Sequence, residues 1–163
     1  MTEPGSTPAP PPPPPAPGYA QPSGPSGPRA SFGRRFVAIL IDWIILGLAN
    51  GLILTLFLDY DYDETGPSNV ISLVVGLAYF TYFEGTARGQ TPGKMALGIR
   101  VVDFNTGTSI GHGRAALRYV GRILSTIPCL LGYFWMLWDR EKQTWHDKIC
   151  TCVVVPTDAY PVQ

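Results

Sequence analysis

The sequence predicts an all-α membrane protein with two to three transmembrane helices, a short interfacial helix and strand region, and a disordered N-terminal tail. Three observations predict it. Residues 36–58 form an almost unbroken apolar run of 23 positions. Two shorter apolar runs, Val70–Phe83 and Ile123–Trp138, follow it. Residues 1–30 hold 12 of the 17 prolines, with alanine almost their only apolar residue. Whole-chain averages conceal this division: 45% hydrophobic content and zero net charge would suit one soluble domain. The 12 basic residues balance 12 acidic ones, which argues against a nucleic-acid partner.

The leader, residues 1–30, cannot bury enough apolar surface to offset its ordering entropy. Its six-proline run Pro10–Pro15 favours an extended polyproline II form. It lacks the basic start and apolar core of a signal peptide. It reads as a solvated spacer or, alternatively, as a docking site for a proline-binding protein partner. Residues 31–156 then form the membrane domain, and 157–163 a C-terminal tail.

The first run, Phe36–Leu58, would extend about 34 Å as a helix, against a hydrocarbon core of about 30 Å. A chain this short would rarely cover a helix that is apolar on every side, so its surroundings are the lipid bilayer. The second run reaches 16 residues when extended over Asn69 and Glu84, still short of a comfortable span. Tyr79, Phe80, Tyr82 and Phe83 resemble an interfacial aromatic belt. In the polar stretch 84–114, Thr91-Pro92 starts a short helix, Ile99–Phe104 is β-branched, and Asn105-Thr-Gly107 signals a turn. This stretch is expected at the membrane surface.

The third run has two readings. With Arg118 and Arg122 snorkelling, one helix from Ala115 to Trp138 crosses the bilayer. Alternatively, Pro128 and Gly132 break it into a re-entrant pair. A short β-branched run, Val153–Val155, lies near the C-terminus. Charge placement orients the chain. Arg29, Arg34 and Arg35 precede the first helix, the loop Asp59–Glu64 carries four acids, and the next loop bears Arg88, Lys94, Arg100 and Arg114. The positive-inside rule puts the N-terminus and the 84–114 loop in the cytoplasm.

Asp42 lies inside the first apolar run, where a carboxylate costs up to about 2.5–3.5 kcal/mol. Arg35 is seven residues earlier and Asn50 eight later, so the three define one polar seam on a helix. The seam reads as a path or site for a cation or proton, with Asp42 as titratable ligand. The structural alternative pairs Asp42 with Arg118 or Arg122 to fix helix packing. Gly47 and Gly51 have the spacing that permits close helix approach. His146-Asp147 reads as an interfacial cap beside Trp145. The three cysteines read as small apolar residues, and His112 and His146 stand too far apart to make a metal site. With no phosphate-binding glycine loop and no nucleophile signature, neither an enzyme nor a cofactor is expected.

Taken together, Arg35, Asp42 within IDWIIL, the stretch GQTPGKMALGIRVVDFNTG and the closing DREKQTWHDKICTCVVV resemble the RDD family of membrane proteins, over about residues 31–156. The family is named for one arginine and two aspartates. Arg35 and Asp42 match the first two; Asp147 is the favoured third, with Asp139 competing. Cys150-Thr151-Cys152 stands where Ala-Gly-Thr is common. The proline-rich leader resembles that of actinobacterial members. The resemblance implies a bacterial inner-membrane protein with a role in transport. Two or three helices can hardly enclose a polar path, so a homo-oligomer is expected. The alternative is a non-catalytic scaffold that recruits partners through its leader.

Overall fold

The computed structural model describes residues 27–57, 65–126 and 131–161. The proline-rich stretch before Gly27, and with it both readings of the leader, lies outside them, as do the acidic loop and Pro128. Helix α1 is Phe32–Phe57, 26 residues. It begins before the apolar run because Ser31 acts as its cap: the Ser31 hydroxyl oxygen lies 3.4 Å from the Arg34 N–H. Both Arg34 and Arg35 are therefore helical. About half of the described side chains of the helix are exposed. Trp43, Ile44, Leu48, Leu52 and Leu56 are all more than half exposed, an apolar surface that suits lipid rather than water.

Helix α2 is Thr65–Gly85, 21 residues, or about 31 Å. The shortfall in length expected from the apolar run disappears because five residues outside that run, Thr65 to Asn69, open the helix. Pro67 falls in its first turn, where a missing N–H breaks no helical bond. Among the described residues, α1 is the one helix that is both long and apolar enough to cross a membrane unaided.

The next elements are α3 (Pro92–Ala96), β1 (Ile99–Asp103), α4 (Gly111–Thr126), α5 (Leu131–Phe134), a 3-10 turn (Trp135–Leu137), α6 (Trp145–Ile149) and β2 (Cys152–Pro156). The straight helix Ala115–Trp138 does not form: α4 and the α5 segment meet at 113°. Gly132 permits the fold-back, since a Cβ there would sit 2.6 Å from the Ser125 Cβ. Together the bent pair is also long and apolar enough to be a broken span or a re-entrant loop.

The all-α expectation needs one correction. Strands β1 and β2 pair antiparallel, with Ile99 opposite Pro156 and Asp103 opposite Cys152. Every residue in both strands is buried. One face joins Ile99, Val101 and Val154 to Ala30, Ala38, Ala115, Cys150 and Cys152. The other carries Val102, Val153 and Val155 under Phe104 and Tyr160. The chain before α1 is part of this packing: Ala30 is 1% exposed and its N–H donates to the Val154 carbonyl at 2.9 Å. Helix α3 packs along α1.

The two halves of the sheet are built alike. Gln90-Thr91, α3 and β1 recur 53 residues later as Gln143-Thr144, α6 and β2. Each glutamine donates its side-chain N–H to the first strand residue's carbonyl at 2.9 Å, Gln90 to Ile99 and Gln143 to Cys152. Each threonine is the N-cap of a five-residue helix. Left-handed backbone recurs at the same offset, at Gly89 and Lys142 and again at Gly98 and Thr151. Val101 pairs with its own equivalent, Val154, so a pseudo-twofold axis passes between them.

Candidate functional site

Arg35 and Asp42 leave α1 on one face, as seven-residue spacing dictates, yet they serve different partners. The Arg35 guanidinium donates to Asp147 Oδ2 at 2.6 Å. Asp42, 1% exposed, takes no arginine at all. Its Oδ1 accepts the Tyr79 hydroxyl at 2.8 Å and the Gly93 N–H at 2.9 Å, and its Oδ2 accepts the Thr91 hydroxyl at 2.6 Å. Asp42 therefore holds the N-terminal turn of α3 against α1. Gly93 is what allows the contact: a Cβ there would collide with the Ala38 carbonyl and sit 2.8 Å from Asp42 Oδ1. The expected pairing of Asp42 with Arg118 or Arg122 is excluded by this insertion.

Those two arginines go elsewhere. One turn apart on α4, they share a face, and both reach Glu84 near the end of α2, as does Lys94. Arg118 bonds Glu84 Oε2 at 2.6 Å and grips Asp147 Oδ1 through Nε at 2.9 Å and Nη2 at 2.6 Å. One continuous network results, running from Lys94 and Arg122 through Glu84, Arg118 and Asp147 to Arg35. Glu84 and Asp147 are wholly buried. Such burial is sustainable only because each carboxylate meets several charged donors.

Burial alone would raise the Asp147 carboxyl, but the Arg118 and Arg35 guanidiniums hold it well below the usual carboxylate range. The Thr144 N–H adds a 3.2 Å bond, the reciprocal half of a capping box. Burial pulls Lys94 down to about 8, against the attraction of Glu84 and with the repulsion of Arg118 and Arg122. Burial also drives His146 well below its ordinary value, leaving a neutral ring. That ring lies 2.9 Å from the Thr144 hydroxyl and meets the Tyr133 ring at a tilt, with ring centres 5.1 Å apart. His146 and Asp147 are both buried in the protein; Gly121 admits α6, since a Cβ there would fall 3.0 Å from the His146 Cβ.

Beside the network lies a cavity of about 140 Å³, whose walls include Arg35, Asp42, Lys94, Arg118 and Arg122 together with Phe36 and Trp43. Arg122 stacks on Phe80, 4.1 Å from the ring centre. Its Nε and Nη1, and Arg35 Nε, have no hydrogen-bond partner among the described residues.

Asn50 does not join the site. Its side-chain oxygen is buried without a partner among the described residues, further along α1. Asp139 stays outside as well, bonding Lys148 and the Gln143 N–H, so of the two aspartates considered as the third acid it is Asp147 that meets Arg35. Gly47 and Gly51 face open space within the protomer. Cys150 and Cys152 are buried free thiols in the sheet core, and among the described residues no group of three His, Cys, Asp or Glu side chains could hold a metal. The residues that sequence reasoning missed are Glu84 and its third partner, Lys94. The available signal was an acid closing an apolar run, where an ionised group is costly.

The sequence profile of the RDD family matches residues 29–151. A proline-rich antigen homolog of Mycobacterium tuberculosis is 34% identical over 147 residues, covering 75% of this chain and 61% of that protein. The proline-rich antigen of Mycobacterium leprae is 30% identical over 104 residues, covering 58% of this chain and 42% of the relative. The uncharacterized membrane protein YteJ of Bacillus subtilis is 33% identical over 139 residues, covering 80% and 83%. This chain therefore spans less than two thirds of the mycobacterial relatives' length. No solved structure matches it.

Proposed function

We propose that this chain, which belongs to the RDD family and is an integral membrane protein, takes a small ion into the cavity beside its ionic network and passes it across the bilayer. One observation carries the reading: five charged side chains, Arg35, Asp42, Lys94, Arg118 and Arg122, line a single space of about 140 Å³. Ionisable groups within membrane helices are costly unless they pair with one another or line an ion's route. The sequence pointed to a cation or proton held by Asp42. A carboxylate has about four acceptor positions, and three donors of the protein already use Asp42. In this reading Asp42 positions α3, and so Lys94, beside the ion's station.

Arg29 before α1, Arg34 and Arg35 in its first turn, and the basic 84–114 loop favour a cytoplasmic N-terminus in a multi-pass protein of the bacterial inner membrane. A homo-oligomer would complete the wall where the cavity meets the exposed rings of Phe36 and Trp43. The test is a flux screen in liposomes with protons, alkali cations and small anions. The parent protein should move at least one of them, and both Asp42→Asn and the cavity-filling Ile39→Phe should abolish that flux with insertion and abundance unchanged. A parent that moves none overturns the transport reading. Activity lost on deleting residues 1–26 alone would favour the scaffold instead.

A further inference from the structure

We infer that the ion is an oxyanion, a carboxylate or phosphate group, received by the unpartnered N–H groups of Arg122 and Arg35. The inference rests on the cavity being an ion site and adds its sign and chemistry. Four cations, Arg35, Lys94, Arg118 and Arg122, stand in or beside the cavity against three carboxylates, Asp42, Glu84 and Asp147. His146 adds no charge while its ring is neutral. The cluster therefore carries one positive charge in excess, in a place where uncompensated charge is expensive. A monoanion brings it to balance.

The excess is placed where a ligand could use it. Arg122 is 7% exposed and spends one nitrogen on Glu84. Its Nε and Nη1, like Arg35 Nε, are buried with no acceptor among the described residues, and both arginines line the cavity. A guanidinium left with free N–H groups is suited to a planar or tetrahedral oxyanion. A cation entering here would instead meet four like charges and one carboxylate already engaged by three donors. The size fits too: an apolar cavity of about 150 Å³ takes benzene, so about 140 Å³ admits a headgroup of similar bulk.

The walls suggest where the anion comes from. Phe32 stacks on both Phe36 and Phe134, with ring centres 5.9 and 5.7 Å apart. Together with Trp43, 56% exposed on the lipid-suited face of α1, these rings line the cavity. An oxyanion on an apolar stem would set its head on the arginines and its stem along the rings. A free anion from water would use the arginines alone.

The probes are inorganic phosphate, acetate, dodecyl phosphate, and sodium and potassium chloride, added to the full chain in a neutral maltoside detergent. The readout is the midpoint of thermal unfolding. Saturable stabilisation by dodecyl phosphate beyond equal concentrations of phosphate and of neutral detergent supports an oxyanion from the lipid side. Equal stabilisation by inorganic phosphate supports one from water. Arg122→Gln should weaken the apparent affinity about tenfold or more, the loss of one charge-assisted contact. Ile39→Phe should abolish binding while leaving every ion pair intact, so a poorly folded arginine variant does not decide the matter. Stabilisation by a cation and by no anion would overturn the oxyanion and leave the ion site standing. No saturable effect from any probe, or binding unchanged by Ile39→Phe, would overturn the cavity site itself.

Discussion

The unit Gly89–Asp103 and the unit Lys142–Pro156 share a backbone but not a charge. In both, a glutamine ties the loop to its strand and a threonine caps a five-residue helix. The third helical position is Lys94 in the first and Asp147 in the second. Lys94 reaches Glu84, Asp147 receives Arg35 and Arg118, and Arg118 bridges the two acids. The preceding position differs as well: Gly93 yields to α1, whereas His146 presses on Gly121 of α4. One scaffold used twice, with opposite charges at one position, lets a pseudo-symmetric framework carry an asymmetric network.

The sharpest way to break this comparison is to neutralise the third position in each unit. Asp147→Asn strands Arg35 in the interior and leaves Arg118 with Glu84 alone, a loss of about 3–5 kcal/mol, and should leave little folded protein by size exclusion in detergent. Lys94→Met takes one of three cations from Glu84 and keeps the volume, so it should remain folded. Equal damage from both would show that the two positions do not differ in weight. A middling effect is expected at the second position. Gly93→Ala forces α3 away from the Ala38 carbonyl and Asp42, costing about 1–3 kcal/mol as overpacking does. Gly47→Ala, which meets nothing within 4 Å, is the matched control, and both are read as melting midpoints. The smallest effect concerns the shared backbone. Thr151 sits at φ 48° where the first unit has Gly98 at 60°. Thr151→Gly should therefore raise the midpoint, by up to about 1 kcal/mol of relieved strain. A fall would mean that the left-handed position is not equivalent in the two units.

Much of this architecture could be read from the chain, and the parts that could not share a cause. The apolar run of α1, the Thr91-Pro92 start of α3 and the β-branched Ile99–Val102 announced themselves because helix and strand signals are local. Arg35 and Asp42 stood out as charges where charge is costly. The start of α2 did not, since residues 65–69 lie outside the apolar run yet are helical. Pairing of β1 with β2 was hidden because Val101 and Val154 lie 53 residues apart. Glu84 was hidden for the same reason: its partners are 10, 34 and 38 residues away. No spacing rule along one helix joins residues that only the meeting of α2, α3 and α4 brings together. The expected bond from Asp42 to Arg118 or Arg122 failed because a neutral hydroxyl and a glycine N–H arrived first.

The attachment of Ala30 to β2 bears on how the leader can act. Arg29 is clasped by Glu141, and the next residue is stitched to Val154. A tug on the chain ahead of Gly27 is therefore borne by the sheet before any of it reaches the apolar length of α1. The first charged side chain downstream that joins the ionic network is Arg35, whose mate Asp147 is anchored five residues before Cys152. The leader is fastened like a bell-rope to the strand next to the clapper.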